Sequence, residues 1–284
     1  MNTTNKTNFH THSILCDGEC TILTMAQTAH EHGFSILGFS GHAPLPFSTD
    51  WNMKREDLPQ YFKEIEDAQK AVGKELLLLK SLEIDYIKGI IGPKTALYPE
   101  LDYSIGSVHY INPLNSTDGN KLFAVDESLE DFDLHIKQFC NGDYEKAVAL
   151  YYTALCTMIQ EGNFTIAGHL DLIKKNNPNE TRFSESSSFY KDAVMQVIDE
   201  LAGTGIIAEI NTGGIARGKT QDVYPAPWIL KELRARNIPI CLNADAHAPE
   251  HLYAYYERGL SAAINAGYSE QVVPGINGLQ KLSL

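Results

Sequence analysis

Histidines and carboxylates stand at regular places in this 284-residue chain. His10-Thr11-His12 is followed by Asp17, and Ser40-Gly41-His42, Leu82-Glu83-Ile84-Asp85 and Ser107-Val108-His109 come next. Gly168-His169-Leu170-Asp171, Glu209-Ile210-Asn211 and Asn243-Ala244-Asp245-Ala246-His247 complete the series. On an extended strand, residues two apart point the same way, about 7 Å apart along the chain. His10 and His12 can therefore grip one metal ion with both imidazoles, and Asp245 and His247 repeat the spacing with a carboxylate and an imidazole. Such donors suit Zn, Mn or Fe, and carboxylates can bridge two ions. Nine candidates (His10, His12, Asp17, His42, Glu83, His109, His169, Asp245 and His247) exceed what one tetrahedral ion can use. They predict a cluster of two or three divalent transition metals.

The elements that must position these residues are seven apolar, β-rich runs: Thr7–His12, Ile36–His42, Leu76–Ile87, Tyr103–Tyr110, Phe164–Leu172, Ile206–Asn211 and Ile238–Asp245. Helical periodicity fills most of the gaps, over Thr21–His32, Leu58–Val72, Tyr144–Gln160, Ser187–Leu201 and Pro227–Arg236. The connection Lys88–Leu101 is weak as a helix because Pro93 and Pro99 interrupt it. Alternation on this scale predicts a parallel α/β fold, either an open doubly wound sheet or a closed barrel. In both, the C-terminal strand ends converge on one face where active sites are built. Six of the ten histidines fall there. His30, His32, His135 and His251 are read as structural or surface residues, with His135 solvated. Asp85 and Asp171 alternate with candidate ligands and are either partners that orient imidazoles or turn residues.

Composition bounds the rest. Hydrophobic residues make up 43% of the chain, which excludes disorder as the main state. The formal charge is −13 and no Lys/Arg block occurs, which argues against a nucleic-acid partner. The polar start, Met1 to Phe9, lacks the apolar core of a signal peptide, and no run is long enough to span a membrane. Five scattered cysteines fit reduced thiols and a cytoplasmic protein, and Cys16 and Cys20 lack the second half of a zinc finger. With no linker or internal repeat, residues 1–284 read as one domain. The acidic insertion Asn112–Asp143 is expected to form a lid or a substrate wall.

The ordered set His-x-His, Gly-His, Glu, Ser-Val-His, Gly-His and Asp-x-His resembles the PHP (polymerase and histidinol phosphatase) superfamily. Gly41-His42-Ala43-Pro44-Leu45-Pro46, and Glu209-Ile210-Asn211-Thr212 with Arg217, are similar to motifs of its monofunctional histidinol-phosphatase branch. The resemblance runs from His10 through His247. It implies a distorted (β/α)7 TIM-like barrel with a trinuclear site at the C-terminal strand ends. One metal would be held by His10, His12, Glu83 and Asp245. Glu83 would bridge to a second, held also by His109 and His169, and Asp17, His42 and His247 would hold the third. Two positions depart from the pattern: the family often has histidine where Asp17 stands, and more usually an acidic residue where Gly41 stands.

The expected reaction is phosphomonoester hydrolysis, with a hydroxide bridging two metals attacking phosphorus in line. Arg217 is the expected phosphate clamp and Arg182 a weaker second, since a guanidinium can donate two bonds to one phosphate. The proton for the leaving alkoxide is assigned either to Asp17 or to a water at the third metal. The resemblance implies L-histidinol phosphate as the small phosphorylated substrate, within histidine biosynthesis. The alternatives are a PHP phosphoesterase for another small phosphorylated metabolite, a nuclease acting on a 3′ end, or a non-catalytic metal-binding module. The sequence leaves the oligomeric state open.

Overall fold

The computed structural model describes residues 6–94, 98, 100–117 and 119–284. In chain order the strands and helices begin with β1 (Lys6–Asn8), α1 (Ile22–Glu31), β2 (Phe34–Phe39), α2 (Leu58–Val72), β3 (Leu77–Lys80) and β4 (Glu83–Asp85). Then come β5 (Ile105–Ser107), β6 (Tyr110–Ile111), β7 (Phe123–Ala124), α3 (Leu129–Cys140), α4 (Tyr144–Glu161) and β8 (Ile166–Ala167). The chain ends with α5 (Ser188–Leu201), β9 (Ile207–Asn211), α6 (Gly213–Ala216), α7 (Pro227–Ala235), β10 (Ile240–Asn243), α8 (Tyr256–Asn265) and the hairpin β11 (Glu270–Gly275) and β12 (Gly278–Ser283).

All seven expected runs form strands, and all five expected helices form within a residue or so of their expected ends. The helix starts have local causes. Thr21, Asp143 and Ser187 each accept a bond from a first-turn backbone N–H, and Pro59 stands in the first turn of α2. Leu58, Tyr61, Phe62, Ile65, Ala68 and Val72 form the buried stripe of α2 at helical spacing. The Tyr61 hydroxyl donates to the Ser81 carbonyl (2.9 Å) and accepts from the Gly41 N–H (3.1 Å). This helix is thereby tied to the two strand ends beside His42 and Glu83. Among the described residues of the 88–101 connection there is no helix; residues 95–97 and 99 lie outside them.

Parallel pairing runs in two sheets, β1-β2-β3 and β10-β9-β8-β5-β4. The third run splits between them, β3 pairing with β2 and β4 with β5. Two parallel bridges join the sheets at their C-terminal ends, Thr11 with Ala246 and His42 with Glu83. His12 N donates to Ala246 O (2.9 Å) and Ala246 N to His10 O (3.0 Å). The strand order around the ring thus follows the chain, giving the distorted TIM-like barrel, and the segments that close it are those that carry the candidate ligands. Inside, Phe9, Ile36, Leu79, Ile105, Ile166, Ile207 and Cys241 pack with Tyr103 and with Val273 of the terminal hairpin. Tyr103 donates to the Phe9 carbonyl (2.5 Å). A Cβ on Gly38 would lie 1.9 Å from the Tyr103 hydroxyl, so only glycine fits there. Among the described residues no helix is long and apolar enough to cross a membrane.

Candidate metal centre

Every one of the nine candidate ligands reaches one place at the C-terminal mouth of the barrel. His10 Nε2 lies 3.1 Å from Glu83 Oε2 and 3.7 Å from Asp245 Oδ1. His12 Nε2 lies 3.2 Å from the same Asp245 oxygen and 3.7 Å from Glu83 Oε2. The other Glu83 oxygen faces His169 Nε2 at 3.0 Å and His109 Nε2 at 3.5 Å. Asp17 Oδ2 lies 3.0 Å from His247 Nε2 and 3.6 Å from His42 Nε2. Two imidazoles straddle these groups: His12 Nδ1 turns to Asp17 (3.2 Å) and His42 Nδ1 to Glu83 (3.1 Å).

The chemistry of this set suits divalent cations. Three groups of donor atoms lie mutually within 4.8 Å: His12, Asp17, His42 and His247; His10, His12 and Glu83; His42, Glu83 and His109. His10 Nε2, His12 Nε2, His42 Nδ1 and Asp17 Oδ1 are buried without a hydrogen-bond partner. Buried polar atoms are ordinarily satisfied, so converging orphans of imidazole and carboxylate type are what a metal cluster requires. Burial works against the Asp17 charge, yet the His42 and His12 imidazoles hold its carboxyl far below the usual range. Burial, with His247 beside it, pushes His12 below its ordinary value, which favours the neutral imidazole that a metal needs.

Further side chains hold these donors in place. Glu209, fully buried on β9, accepts from His10 Nδ1 at 2.6 Å, fixing the tautomer that leaves Nε2 its lone pair. The same carboxylate accepts from Asn243 Nδ2 (2.8 Å), Asn211 Nδ2 (3.0 Å) and the His169 N–H (2.9 Å). Burial opposes its ionisation, but the His10 imidazole keeps Glu209 below the usual carboxylate range. Ser107 donates to Glu83 Oε1 (2.6 Å). His109 Nδ1 donates to Asp85 Oδ1 (2.9 Å), so Asp85 is an orienting partner. Asp171 is not: its Oδ2 takes Lys174 Nζ and the Ala226 N–H, both at 2.8 Å, in the turn below the site. Asp245 itself sits in the left-handed region (φ 47°), and a Cβ on Gly213 would come within 2.8 Å of the Asp245 Cβ. That close approach lets the sixth and seventh strand ends meet under the donors. Glu209 was visible in the sequence as a charge inside an apolar strand; its role depends on the β9–β10 register, which sequence alone does not supply.

The donors open on a cavity of about 220 Å³, also lined by Asp126, Lys175, Arg217, Lys219 and Tyr224. Arg217 reaches it as expected, and already holds the centre together. Its Nη2 donates to Asp245 Oδ2, and its Nη1 lies against the Asp245 carbonyl and His247 Nδ1, all at 2.8 Å. Arg182 does not line this cavity, against expectation: Asp133 of α3 takes its Nε (2.7 Å) and Nη2 (2.5 Å) in a two-point ion pair. His135 is likewise not solvated but packs beside Phe123 and Phe139 with its side chain about one-fifth exposed. The insertion is more ordered than a polar loop. It adds β7 antiparallel to β6 and the capped helix α3, and brings Ala124, Asp126 and Glu127 to the site as a wall.

A TIM-like barrel with a histidine and carboxylate cluster at its C-terminal mouth is the architecture of a metal-dependent hydrolase. The PHP domain family matches residues 8–213, and the chain belongs to that family. It is 32% identical to a Deinococcus radiodurans protein named "Probable histidinol-phosphatase", over 84% of this chain and 85% of the other. It is 28% identical to the histidinol-phosphatase of Bacillus subtilis, over 87% and 95%. In fold it is similar to the histidinol phosphate phosphatase of Lactococcus lactis, solved with zinc, L-histidinol and phosphate (TM-score 0.69, 18% identity, covering 97% of this chain and 99% of that one).

Proposed function

We propose that this chain is a histidinol-phosphatase, hydrolysing L-histidinol phosphate to L-histidinol and phosphate with two or three divalent ions. The reading rests on the convergence of nine buried or half-buried donors at one mouth of the barrel, seven of them lining one cavity, in a chain whose curated relatives carry that name. His10, His12, Glu83 and Asp245 would hold one ion, and Glu83, His109 and His169 a second. Asp17, His42 and His247 would hold a third, with Zn, Mn or Fe suited to these donors. When bound, such ions acidify water and neutralise charge on the phosphoryl oxygens.

The chain's own residues do the rest. Glu209 and Asp85 each accept a ring N–H, turning His10 and His109 to present Nε2 inward. Arg217, Lys219 and Lys175 make one side of the cavity basic, matching a phosphate dianion. Arg217 would bind the phosphoryl group while it steadies Asp245. Asp17, about one-quarter exposed at the cavity edge, carries no proton of its own to give, its carboxyl being held far below the usual range, so the leaving oxygen would take its proton from water at that edge. Steady-state hydrolysis of L-histidinol phosphate against a phosphomonoester panel tests the reading. A preference for histidinol phosphate supports it, and equal rates on sugar phosphates overturn it.

A further inference from the structure

One buried polar group on the wall of the donor cavity has no part in the metal cluster. Tyr224 lines that cavity beside Arg217, Lys175 and Lys219 and is 1% exposed, yet its hydroxyl has no hydrogen-bond partner among the described residues. The unpaired atoms of His10, His12, His42 and Asp17 are of the type that ligates a cation. A phenol offers the opposite, a proton. Buried polar atoms are ordinarily paired, so this one marks a place where an acceptor belongs.

The ring is fixed from several sides. Tyr224 exchanges both backbone hydrogen bonds with Asn211 at the end of β9, donating to its carbonyl (2.9 Å) and accepting from its N–H (2.6 Å). A Cβ on Gly214 would lie 2.5 Å from Tyr224 Cε2, so the ring packs directly on that glycine. Lys174 Nζ lies 4.9 Å from the ring centroid, held there by Asp171 and by the Val223 carbonyl, both at 2.8 Å. A cation over the ring attracts its π density, which makes the phenol a stronger donor. The Thr220 hydroxyl beside it donates to the Asp222 carbonyl (2.9 Å). Burial, with Asp126 and Asp171 nearby, pushes the phenol well above its ordinary value against the pull of Arg217, so it keeps its proton.

Resting on the function proposed above, we infer that Tyr224 is a further catalytic residue, whose hydroxyl donates a hydrogen bond to a phosphoryl oxygen of the substrate. Arg217, Lys175 and Lys219 on the same wall are themselves only donors, and the Asp126 carboxylate is already taken by Lys175. The acceptor must therefore come with a ligand, and a phosphoryl group brings three terminal oxygens. During transfer its charge is spread over those oxygens, and a donor already fixed in place meets one of them without reorganisation. No proton leaves the hydroxyl in this role.

The test is Tyr224→Phe, which removes the hydroxyl and keeps the ring. In the metal-loaded protein kcat/KM is expected to fall roughly 10–100-fold, the scale of one hydrogen bond to a charged oxygen. The fall should be the same on L-histidinol phosphate and on 4-nitrophenyl phosphate, because the phosphoryl group is common to both. A hydroxyl that served only the fold would behave differently: its removal would lower the urea midpoint. An unpaired hydroxyl predicts a midpoint at or above that of wild type, with metal affinity unchanged in chelator competition. A lowered midpoint, weakened metal binding, an unchanged kcat/KM or a loss confined to one ester would each overturn the role. A second readout needs no turnover. Titration of inorganic phosphate into the metal-loaded protein should give a Kd raised about tenfold in Tyr224→Phe, and equal values in the two proteins would refute the contact. A wild type with no preference for histidinol phosphate over sugar phosphates would sink the proposed function instead, while the phosphate titration would still report on Tyr224.

Discussion

Replacing Glu209 by Gln is the sharpest structural perturbation of the centre, because it changes one atom in a carboxylate that receives four donors. Oε1 takes His10 Nδ1 and Asn243 Nδ2, and Oε2 takes the His169 N–H and Asn211 Nδ2. Glutamine keeps a single acceptor oxygen, so one pair of donors must face an NH2 group. The asparagine amides can rotate away, but the His10 ring is fixed between strands and the His169 N–H is backbone. One buried donor is therefore stranded at roughly 1–3 kcal/mol, and a charge-assisted bond to His10 or His169 is weakened as well. The expected loss is about 2–4 kcal/mol in chemical denaturation of the metal-free protein. If the His10 bond is the one lost, the ring no longer presents Nε2 inward, and metal affinity should fall about 10–100-fold. Competition with a chromophoric chelator measures that directly. A Glu209→Gln protein with stability within about 0.5 kcal/mol of wild type and unchanged metal affinity would refute the positioning role.

Other consequences are equally specific. Arg217→Ala should lower kcat/KM about 100-fold and also weaken metal binding, because Asp245 loses its partner; unchanged metal affinity would show that Asp245 holds its place unaided. Gly38→Ala drives a methyl into the Tyr103 hydroxyl and should cost about 1–3 kcal/mol, with partial rescue by Tyr103→Phe; a fully stable Gly38→Ala protein would contradict the barrel packing. In the metal-free protein burial lowers the His109 pKa, but Asp85 and Glu83 outweigh it and raise it to about 10. Its folded value exceeds its unfolded one, so its stabilisation is complete below about pH 6.5 and is lost as pH rises towards 10. Unfolding free energies from urea melts in chelator should fall across that window, by at most about 1.4 kcal/mol per pH unit, and Asp85→Asn should flatten the slope. An equally steep slope in that variant would separate Asp85 from His109.

Much of this was legible before any coordinates. The strand ends carry their ligands because parallel α/β geometry gathers C-terminal ends, and the His-x-His and Asp-x-His spacings follow from the strand repeat of two. What was not legible depends on tertiary placement. Leu76–Ile87 reads as one unbroken run, with no glycine or proline to mark the change at Ser81 and Leu82 where it passes from one sheet to the other. Arg182 stands on a plausible loop, but Asp133 of α3 captures it, and α3 lies in the acidic insertion, outside the five helices that periodicity marks. The terminal hairpin had a signal, Asn277-Gly278 between apolar runs, yet that its Val273 packs into the barrel follows only from the closed ring.

The central claim is that nine donors form one metal cluster that performs phosphomonoester hydrolysis. Elemental analysis and L-histidinol phosphate turnover on the same sample, before and after chelation and in Asp245→Ala, test it most directly. The account predicts about two to three divalent ions per chain, activity abolished by chelation and restored by metal, and loss of metal and turnover together in the variant. Full activity in the chelated protein, or in Asp245→Ala, would contradict it.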